Sequence, residues 1–271
     1  MTRLIAEIGW NHMGDMSLAE QMISEASRSG ADYAKFQTWN VDRLKAGPWD
    51  TDGRKEIYEQ ACLSLDDHKL LQDLCVKHKI EFLSSAFSVE DASLLQKIGC
   101  EKVKIPSFEI ANYDLLSYCG DNFSHIFIST GTATYSEIEK ACSILESSNH
   151  FTMFHCVSTY PCDPEISNLT RINYLKNLHP DIGYSDHTFG VEVSKVAVSF
   201  NISHIEKHFT IDHELPGRDN KFAILPREMK ELSNFISIFN QSMIPHGIDY
   251  QISESETRSL YRGRFSGALS A

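Results

Sequence analysis

Eight short apolar runs, each followed by a longer amphipathic stretch, constrain the fold of this 271-residue chain more than any other feature. The runs are LIAEIG (4–9), YAKFQT (33–38), EFLSSAF (81–87), KVKIPS (102–107), HIFIST (125–130), FTMFHCVS (151–158), DIGYSDH (181–187) and HIEKHFT (204–210). Strands that alternate with helices form a parallel sheet, because a parallel neighbour is reached only through a crossover. Eight such units in roughly 250 residues predict a single-domain α/β fold, a (β/α)8 barrel over residues 1–250, rather than an open doubly wound sheet. No G-x-G-x-x-G follows the first run, which weakens the dinucleotide-binding alternative. Among the helical stretches, SLAEQMISEASRSG is predicted to start at Ser17 as its N-cap and to close on Gly30. SLDDHKLLQDLCVKHK places Leu65, Leu70, Leu71 and Leu74 on one face. The connection 39–60 is long and contains Gly and Pro, and loops of that length are functional or mobile.

A formal net charge of −12 argues against nucleic acid or an anionic membrane surface as a partner. Any anionic ligand therefore needs a local cluster of positive groups. Cysteines 62, 75, 100, 119, 142, 156 and 162 are scattered, odd in number and without a C-x-x-C, so they read as reduced thiols. The apolar stretch in MTRLIAEIGWNH is too short for a signal peptide, and no run approaches membrane-spanning length. A cytoplasmic location is the expectation.

Strands alternate their faces, so one parity of each run points to the barrel axis and the other to the helices. With the apolar parity facing the helices, the first run sends Glu7 inward and the second sends Lys35 and Gln37. The third sends Ser85 and Phe87, the fourth Lys102 and Lys104, and the fifth Ser129. The seventh sends Ser185 and His187, and the eighth Glu206 and His208. Barrel enzymes build their sites at the C-terminal ends of the strands, and a purely structural interior would be Val, Ile and Leu. Singly, each group has an ordinary reading: an ion-paired lysine, or a hydrogen-bonded core histidine. Convergence is what argues for a site. Histidines 68, 78, 125, 150, 179 and 246 read as surface groups, and His155 as a packed structural one.

Two imidazoles on neighbouring strands suit an open divalent-metal site, whose shell substrate oxygens and water complete. Lys35, Lys104 and the serines suit a phosphate and a carboxylate, and Glu109, beyond the fourth run, could position water or move a proton. The composite reads as metal-assisted chemistry between a phosphate-bearing anion and a carbonyl compound.

The ordered stretches IAEIGWNHMGD, ADYAKFQT, FLSSAFS, VKIPSFEIANYDLL, ISTGTAT, HCVSTYP, GYSDHTFGVEV and IEKHFTIDHELPGRDN resemble the motifs of the sialic acid synthase family, from about residue 4 to residue 240. That resemblance implies a TIM barrel that condenses phosphoenolpyruvate with an N-acyl hexosamine to a nine-carbon sialic, legionaminic or pseudaminic acid. It implies Mn²⁺, with Mg²⁺ or Co²⁺ as alternatives, on His187 and His208. Lys35, Ser85, Lys104, Ser107, Ser129, Ser158 and Ser185 are implied to hold phosphoenolpyruvate. Glu7, Gln37, Phe87, Tyr160 and Asp219 are implied to face the amino sugar, and Glu109 to attend the attacking water. Asp186 and Thr188 would shape the turn that aims Ser185 and His187.

The family's C-terminal antifreeze-like domain would begin where this sequence reads SLYRGRFSGALSA, so residues 251–271 are read as a tail toward it. A homodimer is expected, with a separate lid protein or the 39–60 loop as a cover for the sugar. Two other readings remain beside the synthase: a Schiff-base aldolase or lyase acting on a 2-keto acid sugar through Lys35 or Lys104, and a non-catalytic sugar-binding barrel.

Overall fold

A computed structural model describes residues 2–47, 49, 51–146 and 150–265. Its strands are β1 (Arg3–Gly9), β2 (Tyr33–Thr38), β3 (Glu81–Ala86), β4 (Lys102–Ile105), β5 (His125–Ser129), β6 (His150–Cys156), β7 (Ile182–Asp186) and β8 (His204–His208). Each begins and ends within two residues of an apolar run. All neighbours pair in parallel, and β8 returns to β1 to close the barrel. The helices are α1 (Met16–Arg28), α2 (Arg54–Ala61), α3 (Leu65–Lys77), α4 (Val89–Lys97), α5 (Tyr113–Asn122), α6 (Tyr135–Leu145), α7 (Arg171–Lys176), α8 (Glu192–Val198), α9 (Pro226–Ser242) and α10 (Ser255–Tyr261). Among the described residues no helix is long and apolar enough to cross a membrane. All seven cysteines are free thiols.

Alternation along the strands separates two cores. Outward residues such as Ala6, Ile8, Phe36, Ile105, Ile128 and Ile205 pack beneath the helices. Inside the barrel a small plug of Ile5, Tyr33, Leu83, Phe127 and Phe154 fills the middle. That plug lies on the inward parity, which the sequence reading had marked only by its polar members. Gly183 of β7 makes it possible, because a Cβ there would fall 2.8 Å from the Phe154 ring. Below the plug Lys102, inward as expected, sits at the opposite end from the site. It pairs with Glu81 and donates to the Tyr33 hydroxyl at 3.2 Å.

Three local expectations are corrected. The N-cap of α1 is Asp15, whose carboxylate accepts from the N–H groups of Ser17 and Leu18, so Ser17 is already inside the helix. In α3 the buried face is His68, Leu71, Leu74 and Cys75, while Leu65 and Leu70 are exposed. His68 is thus no surface group: it bonds Thr38 Oγ1 at 2.8 Å and the Ser64 carbonyl at 2.7 Å, so its polar atoms are satisfied in the core. His155 is fully buried, against the Ser167 carbonyl at 2.8 Å and stacked on Tyr184.

The buried histidines predict acid sensitivity. Burial lowers His12, His155 and His204 to about 4, well under the ordinary imidazole value. A folded pKa below the unfolded one gives stability that is complete above pH 6.5 and is lost as pH falls toward 4. Glu7, raised by burial to about 7, acts in the opposite sense over the same range, but the histidines outnumber it. Denaturant unfolding at pH 7.5 and pH 5 should therefore show a loss on the order of 1–2 kcal/mol per histidine, partly offset by Glu7. Equal midpoints and slopes at the two pH values would contradict the assignment.

Candidate active site

At the C-terminal mouth of the barrel lies a cavity of about 390 Å³. One wall carries a chain of buried charges. Glu206 on β8 accepts from Lys104 on β4 at 2.9 Å and from Ser185 Oγ on β7 at 3.0 Å, and lies 3.7 Å from Lys35 Nζ. Lys35 reaches Glu7 on β1 at 2.8 Å and donates to Ser85 Oγ at 3.0 Å, while Gln37 donates to Glu7 at 2.7 Å. None of the four charged groups is more than 6% exposed. Ions so deeply buried persist only when they are paired, and here each carboxylate meets a lysine.

The network splits otherwise similar groups. Burial lifts the Glu7 carboxyl to about 7, which Lys35 opposes only in part. Burial would lift Glu206 too, but Lys104 and Lys35 outweigh it and hold that carboxyl below its usual range. Burial lowers Lys104, and its pair with Glu206 does not fully restore it. For Lys35 the same burial is overcome by Glu206 and Glu7, so its ammonium is firmly held. The cavity thus contains one carboxyl poised to exchange a proton near neutral pH, and two lysines whose charge is balanced internally.

Hydroxyls line the β4–β6 side. Ser107, in the 3₁₀ turn after β4, accepts from the Gly131 N–H at 3.1 Å and meets Cys156 Sγ at 3.0 Å. A Cβ on Gly131 would lie 2.2 Å from Ser158 Oγ and 2.7 Å from Ser107 Oγ, so the backbone passes close between them. Ser129 and Ser185 line the cavity, whereas Ser158 sits behind Gly131, its buried oxygen without a hydrogen-bond partner among the described residues.

The other wall holds the imidazoles. His187 and His208 have ring centroids 5.6 Å apart, and the Tyr160 ring stands 4.1 Å from His187 and 5.9 Å from His208. His187 Nδ1 is 2.8 Å from the Val157 carbonyl, which can only accept, so Nδ1 carries the proton and Nε2 presents its lone pair. His208 Nδ1 is buried without a hydrogen-bond partner among the described residues, 3.6 Å from an Asp219 carboxylate oxygen. Burial holds both rings down at about 4, so both are neutral at pH 7, the form that binds a metal. Among the described residues no group of three or more His, Cys, Asp or Glu forms a ready-made cage. Two neutral imidazoles facing one cavity fit an ion whose remaining positions go to substrate and water.

The turn after β7 is fixed from behind. Asp186 accepts from the Thr188 N–H at 2.8 Å and from Ser194 Oγ, and lies 3.3 Å from Lys207 Nζ, which also donates to the Thr188 carbonyl. These groups occupy the helix-facing parity directly beside Ser185, His187, Glu206 and His208. Asp186 and Thr188 therefore shape the turn as expected.

Glu7, Lys35, Gln37, Ser85, Phe87, Lys104, Ser107, Ser129, Tyr160, Ser185, His187, His208 and Asp219 all line this cavity. Glu109 does not; it accepts from Asn112 at 2.9 Å and faces an adjoining cavity. Sequence reasoning gave Glu206 no role, although its inward parity on β8 was visible. It also passed over Cys156, Arg218 and Tyr58 as lining groups. Cys156 shares the inward parity of β6, and Arg218 adjoins Asp219 in GRDN, but nothing local marks Tyr58 on α2.

A model described as the NeuB family matches residues 22–245. The N,N'-diacetyllegionaminic acid synthase of Campylobacter jejuni is 35% identical over 258 residues, covering 89% of this chain and 77% of that protein. The pseudaminic acid synthase of Helicobacter pylori is 31% identical over 259 residues, covering 90% and 75%. Among solved structures, N-acetylneuraminic acid synthetase from Leptospira borgpetersenii, in complex with citrate, superposes with a TM-score of 0.86 at 34% identity, covering 96% of this chain and 92% of that one. On its motifs, its barrel and these matches, the chain belongs to the NeuB family of sialic-acid-type synthases.

Proposed function

We propose that this enzyme condenses phosphoenolpyruvate with the open-chain aldehyde of an N-acyl hexosamine, giving a nonulosonic acid and inorganic phosphate. The observation that carries the reading is the meeting of Lys35, Lys104 and a serine-rich wall with two neutral imidazoles in one cavity. Lys35, Lys104 and the hydroxyls of Ser85, Ser107, Ser129 and Ser185 bind the phosphate and carboxylate, while Ser158 packs close to Gly131 behind them. Gln37, Phe87, Tyr160 and Asp219 orient the sugar. His187 and His208 hold a divalent ion, Mn²⁺ first, which when bound supplies Lewis acidity toward the aldehyde oxygen.

In the reaction the enol carbon of phosphoenolpyruvate bonds to the aldehyde carbon, whose π electrons become an alkoxide. Water adds to the former enol-ether carbon, and that carbon's bond to the bridging oxygen breaks as phosphate departs. Glu7, raised by burial to about 7, is assigned the proton that the alkoxide takes up. Glu109, which lines the adjoining cavity and not this one, is assigned the entry of that water, whose released proton leaves to solvent.

Phosphate release should require phosphoenolpyruvate, Mn²⁺ and an N-acyl hexosamine together, stop with chelator, and resume when Mn²⁺ is restored. Manganese binding followed by electron paramagnetic resonance should show one site in the wild type and none in His208→Ala. The aldolase alternative predicts a lysine adduct after borohydride treatment with substrate. Such an adduct, together with turnover in chelator, would replace this reading.

A further inference from the structure

Six charged side chains line the active-site cavity: Glu7, Lys35, Lys104, Glu206, Arg218 and Asp219. Four of them are taken up by one another, with Lys35 2.8 Å from Glu7 and Lys104 2.9 Å from Glu206. Asp219 approaches His208 at 3.6 Å. Arg218 differs from all of these. Among the described residues its side chain has no carboxylate within ion-pair distance and no hydrogen bond. It is exposed at the rim, and it lines this cavity but not the second one beside it, of about 580 Å³.

An unpaired arginine is ordinary on a surface, but this one stands where an anion has to enter. Phosphoenolpyruvate brings a carboxylate and a phosphate of about −1.5 to −2 at pH 7. Lys35 and Lys104 meet it already matched by Glu7 and Glu206, so as a set these four bring no surplus charge. Without Arg218 the lining would hold two cations against three carboxylates. Among the protein's own groups, the unmatched positive charge at this mouth is Arg218.

The backbone beneath it is fixed. The Ile224 N–H donates to the His208 carbonyl at 2.8 Å and the Thr210 N–H to the Ile224 carbonyl at 3.1 Å, which closes the loop after β8 at its base. Within the loop Asn220, fully buried, accepts from Thr210 Oγ1 and donates to the Pro216 carbonyl at 2.7 Å. Gly217 has φ +113°, which L side chains rarely adopt, and a Cβ there would lie 3.4 Å from Met13 Sδ. The loop after β8 therefore rests on the loop after β1. Arg218 stands on the β8–β1 side of the mouth, where Glu7 and His208 are register partners and Lys35 meets Glu7. A guanidinium free to turn on a fixed backbone reaches a ligand without the cost of ordering a loop.

Resting on the proposed condensation, we infer that Arg218 is a further substrate-binding residue, whose guanidinium closes from the rim onto the phosphate of phosphoenolpyruvate. Its planar fork donates two parallel N–H bonds to phosphate oxygens, on the side opposite the buried lysines.

The test is calorimetry of phosphoenolpyruvate binding at low and high ionic strength, for the wild type, Arg218→Gln and Arg218→Lys. The KM for N-acetylmannosamine at saturating phosphoenolpyruvate is measured beside it. Arg218→Gln should weaken phosphoenolpyruvate binding about tenfold at low ionic strength, the scale of hydrogen bonds to a charged group. The deficit should shrink at high ionic strength, because a contact at the exposed rim is screened. Arg218→Lys keeps the charge but not the fork and should fall between the two. Thermal midpoints should match the wild type, since the side chain makes no ion pair or hydrogen bond within the described residues. Unchanged phosphoenolpyruvate affinity in Arg218→Gln overturns the clamp and leaves the condensation standing. So does a raised sugar KM with phosphoenolpyruvate affinity intact, which would assign Arg218 to the acceptor. Phosphoenolpyruvate binding that depends on Arg218, in a protein that releases no phosphate with any N-acyl hexosamine, sinks the condensation and keeps the clamp.

Discussion

Lys104→Met should lose phosphoenolpyruvate binding by about 30- to 5,000-fold, corresponding to about 2–5 kcal/mol for truncating one partner of a buried charge pair. Two effects act together. The anion loses one of the two buried ammonium groups that line its cavity, in a chain whose net charge is −12. Glu206, which now takes 2.9 Å contact from Lys104, keeps only Ser185 and a 3.7 Å approach to Lys35. A buried carboxylate short of partners repels the incoming phosphate and moves up toward protonation. The variant should also be less stable, so a second one separates the causes. In Lys104→Met/Glu206→Gln the removed ammonium is matched by a removed carboxylate. Its thermal midpoint should recover most of the loss while phosphoenolpyruvate affinity, by calorimetry, stays low. Normal affinity in either variant would refute the anion wall as drawn.

Lys207→Met should be the most destabilising single change at the site, by about 3–5 kcal/mol, although Lys207 touches no substrate. Its ammonium is 2% exposed and lies 3.3 Å from Asp186, which is itself 1% exposed. Removing the cation strands a buried carboxylate, and a loss of that size is a large share of the stability of an ordinary domain. The same cation donates to the Thr188 carbonyl, so the turn that carries His187 loses its anchor. Asp186→Asn/Lys207→Met should regain much of the stability, because an amide is cheaper to bury than an unpaired charge. It should not regain full turnover, since the Thr188 carbonyl is still released. Urea unfolding of the three proteins measures the first effect and kcat the second. A Lys207→Met protein within 1 kcal/mol of wild type would mean that water, not Lys207, sustains Asp186.

The residues and their order already contained the strand count, the strand limits and the face each strand residue takes. The reason is local: a period of two records which side of a strand is buried, and Gly- or Pro-bounded turns record where it ends. That placed Glu7, Lys35, Lys104, Ser185, His187 and His208 toward one axis without knowledge of the fold's closure. Only the tertiary structure decided depth and partnership. Lys102 and Lys104 share a parity and are indistinguishable in a four-residue strand. Yet one ties Glu81 at the bottom of the barrel, and the other meets Glu206 across it, 102 residues away. The apolar plug between them was hidden because inward Phe127 and Phe154 look, in sequence, like any strand residue. α3 was misread for a related reason, since His68 counts as polar until Thr38 and the Ser64 carbonyl satisfy it. The second cavity had no local signature at all. It exists because barrel closure brings Trp10 after β1, the segment after β2, Phe87 after β3 and Phe108 after β4 around one mouth, and proximity between separate loops is set by strand stagger and tilt rather than by any single stretch of chain.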